Sequence, residues 1–142
     1  MHNYLKYWKV VKQFVKIKYK LSTADIEMLL FLRSEKYFSK EDFDEFNELF
    51  HWEKNRFERL RQEGWVDVFR KKKGKSRVLY QLSYKAQRVI TSLYKKLEGE
   101  EIPESKSSNP MFLANASYTD KVHRNFIKKL NESIRQEQRL AQ

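Results

Sequence analysis

The chain has no cysteine, only three glycines and only two prolines among its 142 residues. Without cysteine there is no disulfide framework, no thiolate nucleophile and no cysteine-ligated zinc. Three scattered glycines leave no glycine-rich phosphate loop. No apolar run approaches the roughly 18 residues of a membrane span, and the start lacks the uninterrupted apolar stretch of a signal peptide. The expected location is therefore cytoplasmic. His2, His51 and His123 are scattered and have no carboxylate at ligand spacing, so no metal site is expected. No Ser-His-acid arrangement stands out, and Glu41, Asp42, Asp44 and Glu45 fall at a helix start, where they complement the dipole. The reading is of a protein that is not an enzyme and holds no cofactor.

What the chain does have is positive charge and aromatic mass. Its formal charge is +11, and it carries ten Phe, eight Tyr and three Trp. That apolar content is too high for a disordered basic tail, and the charge favours a polyanionic partner. The charge is uneven. Residues 1–20 hold six lysines and no acid, residues 21–50 hold eight acids against three bases, and residues 70–85 hold seven bases and no acid. Such alternation implies an oriented surface with one face toward nucleic acid and another away from it.

Periodicity predicts the elements. Tyr4, Leu5, Trp8, Val11, Phe14 and Val15 recur at helical spacing, giving a helix over Tyr4–Tyr19 with Lys9, Lys12 and Lys16 as its solvated stripe. Ser22 three residues before Asp25, and Ser39 before Asp42, are N-caps that open two further helices. A fourth helix is expected from about His51 or Trp52 to Glu63, with Gly64 as its left-handed stop and Trp52, Phe57 and Leu60 facing inward. Trp65 to Phe69 and Arg77 to Leu82 alternate as strands around Gly74, and Ser83 caps a fifth helix. Gly99, Pro103, Pro110 and four serines mark 99–117 as a linker, and a last helix carries the stripe Val122, Phe126, Leu130 and Ile134. The expected segments are 1–21, an N-terminal helix for dimerisation, 22–98, the main domain, 99–117, the linker, and 118–142, a C-terminal helix.

A helix followed at once by a charged hairpin is how a winged helix-turn-helix meets DNA. The fold class expected is mainly α with a small two-stranded β-wing. The fourth helix would lie in the major groove, where Lys54, Asn55, Arg56 and Arg59 share one side and can pair with base edges. Glu53 could accept from cytosine. The turn cations Arg70, Lys71, Lys72, Lys73, Lys75 and Arg77 would hold phosphates.

Three stretches resemble the MarR-like branch of that fold: Leu21–Leu30 at a helix start, Phe57–Val66 at the end of a recognition helix, and Leu82–Ala86 leaving the wing. The resemblance covers about residues 4–98. The resemblance implies a DNA-binding domain, commonly a homodimer held by its first and last helices and reading a palindromic site. Tyr4, Trp8, Val11, Val122, Phe126, Leu130 and Ile134 would form that interface. The function expected is a sequence-specific double-stranded-DNA-binding protein, a transcriptional regulator. The alternative is a structural or adaptor protein using the same fold as a docking module.

Overall fold

The computed structural model describes residues 4–50 and 52–141, so His2 and His51 lie outside the described residues. Among the described residues there are six helices and one two-stranded antiparallel sheet. In order they are α1 (Tyr4–Tyr19), α2 (Thr23–Glu35), α3 (Lys40–Asn47), α4 (Arg56–Gln62), β1 (Val66–Arg70), β2 (Leu79–Leu82), α5 (Tyr84–Leu97) and α6 (Tyr118–Leu140). They form two compact units, one of residues 22–91 and one of residues 1–21 with 92–142.

In residues 22–91 the helix ends are set by side chains. Ser22 and Asp25 make a reciprocal capping box at α2, with bonds of 3.1 and 3.2 Å, and Ser39 and Asp42 repeat it at α3. The Ser83 hydroxyl accepts from the Ala86 N–H to start α5. Gly64, at φ +83°, closes α4. The Trp65 N–H reaches the Leu60 carbonyl and the Gly64 N–H reaches Arg61, a Schellman motif whose Trp65 ring is buried. Phe38, Phe43 and Phe57 fill the core with Ile26, Leu29 and Leu60. Each such side chain stabilises the fold by about 1.5–3 kcal/mol on burial. Leu30 and Phe46 are half-buried at its margin.

Two backbone irregularities mark the sheet. Val68 pairs with Tyr80 and Arg70 with Leu79, so Phe69 is the extra residue of a β-bulge. Lys36, which ends α2, has φ 68° and ψ −69°, and the Tyr37 N–H bonds back to the Glu35 carbonyl at 2.8 Å. This is a γ-turn of the strained hand on a residue with a Cβ, costing on the order of 1–3 kcal/mol.

The unit of residues 1–21 and 92–142 is built on α1 and α6, which pack on each other. The segment 99–117, expected to be a linker, is fastened down. Ile102 and Met111 are buried, and Pro110–Phe112 forms a short 3-10 turn against α1 and α6. Asn131 of α6 accepts from the Ile102 N–H at 2.9 Å and donates to its carbonyl at 2.8 Å, satisfying a buried peptide. Asn109 does the same locally, donating to the Pro103 carbonyl and accepting from the Met111 N–H. Arg135 bridges Glu101 and Glu104. The buried face of α6 is Ile127, Leu130, Asn131 and Ile134. The expected stripe is thus correct at Leu130 and Ile134 but not at Phe126, which is 46% exposed, nor at Val122, which is half-buried.

Candidate nucleic-acid interface

α4 starts four residues later than the sequence suggests. Residues 54 and 55 form a turn, and Trp52, expected inside, is 61% exposed. Phe57 and Leu60 are buried as expected, and Arg56 joins them at 2% exposure.

Arg56 therefore does not sit on an open reading face. Its Nε donates to Asp25 Oδ1 at 3.1 Å, and its Nη1 donates to the Phe50 carbonyl at 2.7 Å and to the Asn47 side-chain oxygen. Arg59, half-buried, makes a bidentate pair with Asp25, both bonds 2.9 Å, and a second with Glu53 at 3.0 and 3.2 Å. The fork geometry of guanidinium suits this double use of one carboxylate. Burial alone would raise the Asp25 pKa. The hydrogen bonds from Arg59, the Ser22 N–H and Arg56, with the charge of Arg59, outweigh it and hold the carboxyl below its ordinary range. Arg59 is held still more firmly protonated, first by its hydrogen bond to Asp25. One acid thus caps α2 and anchors two arginines of α4.

The outward side of α4 is left with Lys54, Asn55, Glu58, Gln62 and Glu63, all exposed. Asn55 stands at the N-cap, exposed, and makes no capping bond. Arg61 is half-buried with its guanidinium 5.2 Å from the Tyr80 ring centre. An open groove of about 380 Å³ between α4 and β1 is lined by Glu58, Arg61, Gln62, Val66, Asp67 and Val68. It is mixed in charge.

The hairpin is different. Residues 69–77 are all exposed. The Ser76 N–H bonds to the Lys73 carbonyl at 3.0 Å, and Gly74 at φ +59° takes the first central position of the turn, the pattern of a type II′ hairpin. Arg70, Lys71, Lys72, Lys73, Lys75 and Arg77 make no ion pair among the described residues. Beside the turn, a recess of about 240 Å³ is lined by Lys40, Glu41, Lys72, Arg77, Val78 and Tyr80. Lys40 there is already paired with Asp44 at 2.9 Å.

Of the residues expected at a subunit interface, Val11, Leu130 and Ile134 are buried within this chain, while Trp8 and Val122 are half-buried. The Tyr4 side chain lies outside the described residues. Among the described residues no cluster of three or more His, Asp or Glu could hold a metal ion, and no helix is long and apolar enough to cross a membrane.

Glu58 and Gln62, exposed on the outward side of α4, were not among the residues expected there; their spacing of four from Lys54 is the signal that could have found them. No family model matches this chain, nor does any curated protein or solved structure.

Proposed function

We propose that this protein binds double-stranded DNA as a winged helix-turn-helix, with the hairpin of residues 70–77 on the phosphate backbone and the outer edge of α4 toward the major groove. The observation that carries the reading is the hairpin itself. Six exposed cations with no carboxylate partner among the described residues stand on the hydrogen-bonded turn of the hairpin that follows α4, a helix that packs on α3. Such an array gains by releasing the counterions condensed on DNA.

Base reading in this proposal falls to Lys54, Asn55 and Gln62, whose side chains are open to solvent, with Glu58 able to accept from a cytosine amine. Arg56 and Arg59 orient the helix from behind. Backbone contacts then outweigh base contacts, and sequence preference is modest. A transcriptional regulator of MarR-like design, acting as a homodimer, belongs to the same proposal. Its contact surface would draw on Phe126, Trp8 and Val122, because Val11, Leu130 and Ile134 are already covered.

One observation favours a docking module instead: Glu58 and Glu63 on the exposed side of α4 repel phosphates. Titrating the protein against blunt duplexes of several sequences at rising salt separates the readings. DNA binding gives a steep fall of affinity with salt; a docking module gives no binding at moderate salt.

A further inference from the structure

Tyr37 and Phe69 are large apolar side chains left 44% and 47% exposed, yet they are placed with care. Their rings stack on each other, centres 4.0 Å apart and planes within 24°. Neither position arises from regular structure. Tyr37 is directed by the γ-turn at Lys36, the one left-handed non-glycine residue described in residues 22–91. Phe69 is the bulged residue of β1, without a cross-strand partner. A bulge re-aims one side chain, and strained turns persist where the surroundings hold them.

Resting on the DNA-binding reading above, we propose that this ring pair is a stacking platform for an unpaired nucleobase at the junction of duplex and single-stranded DNA. The platform stands at the foot of the cationic hairpin, one residue before Arg70 and two before Lys71. Phosphates held by the turn bring bases to the rings. In intact duplex both faces of a base are covered by its neighbours, so only an unpaired or terminal base can offer a face to a ring. Stacking on aromatic side chains tolerates any base, since every base has a π-face. The nearby acids Glu35 and Asp67 are exposed and would repel a phosphate, but they do not compete for a ring face. The outer faces of a pair that is already stacked cost little further ordering when a base arrives.

The test compares one hairpin-closed duplex with the same duplex bearing a short single-stranded extension, using the full chain. The extension carries 2-aminopurine as its first unpaired base. Wild-type protein should bind the extended DNA about tenfold more tightly and quench the probe. Phe69→Leu keeps apolar bulk but loses the flat ring. It should erase the preference and the quenching while leaving closed-duplex affinity within about twofold, and Phe69→Trp should restore both. Tyr37→Leu should act like Phe69→Leu. Equal wild-type binding of the two DNAs overturns the platform and leaves the duplex reading standing. Failure to bind either DNA overturns that reading and the platform with it. If Phe69→Leu weakens both DNAs alike, or Phe69→Trp restores nothing, the pair merely braces the hairpin.

Discussion

α4 and the hairpin lie next to each other in the chain, both rich in cations, and treat them in opposite ways. The arginines of α4 turn inward: Arg56 is buried and Arg59 half-buried, both on Asp25. The six cations of the hairpin stand in solvent and make no ion pair among the described residues. The difference is made elsewhere, by an acid 31 residues before Arg56 that is itself fixed by its capping duty at α2. A buried guanidinium demands a buried counter-charge, whereas an exposed lysine is stable without one. Local charge density therefore says little about which cations a ligand can meet.

The largest effect should come from removing the acid that makes the comparison. Asp25→Ala strips Arg56 of its buried counter-charge and should destabilise the protein by about 3–5 kcal/mol. Urea denaturation measures it, and a cost below about 1 kcal/mol would dissolve the contrast. The pH dependence has a defined sign. The folded pKa of Asp25 is depressed, so its stabilisation is complete above the unfolded value of about 3.9 and is lost as pH falls through the folded value. Asp25→Asn should lie below wild type by a constant margin near neutrality, and the margin should narrow only in acid.

Next comes the hairpin. Replacing Lys71, Lys72, Lys73 and Lys75 together by Ala should leave stability within about 0.5 kcal/mol, since none supports the fold. Affinity for duplex DNA should fall on the order of a hundredfold at low salt, for all sequences alike, with the salt slope reduced by about 0.9 per lost contact. An unchanged slope would show that the hairpin does not touch DNA.

Asn55→Ala probes the outer edge of α4. It should cost roughly 1–2 kcal/mol on a preferred site and much less on random duplex, as for a lost base-edge pair. Arg56→Ala should instead lower stability before it alters sequence preference. Equal losses from Asn55→Ala on every sequence would confine α4 to phosphate contact.

Much of the fold was legible because its signals are local. The Ser22-Asp25 and Ser39-Asp42 pairs, Gly64 as a stop and Ser83 as a cap need only a few neighbouring residues to act. The order of helices, hairpin and helix follows from them, and the bounds of α1 follow from the helical spacing of its apolar residues. What was not legible depends on distance in the chain. The inward turn of Arg56 and Arg59 needs Asp25, and the fastening of 99–117 needs Asn131, 29 residues beyond Ile102. Sparse apolar residues such as Ile102 and Met111 look like linker composition until α6 covers them. The phase of α6 does not follow from its apolar residues alone, because Asn131, a polar residue, belongs to its buried face. One signal was present but unused: Val68 and Phe69, two apolar neighbours in a strand that otherwise alternates, mark the bulge.

The smallest effect should distinguish the two regions by sign. Glu58 lies exposed on α4, on the groove it shares with β1, and makes no ion pair among the described residues. If α4 approaches DNA, this carboxylate works against the hairpin, and Glu58→Gln should strengthen binding to random duplex by a few tenths of a kcal/mol up to about 1 kcal/mol, the scale of an exposed charge interaction. The gain should shrink at high salt, where such interactions are screened over about 8–10 Å or less. On a site with a cytosine under α4 the gain should be smaller still, because the carboxylate there accepts a hydrogen bond that glutamine replaces only in part. A gain of the same size on every duplex makes Glu58 a plain repulsive charge. No change on any duplex, alongside a full effect of the lysine replacements, would mean that DNA rests on the hairpin alone and that α4 faces away from it.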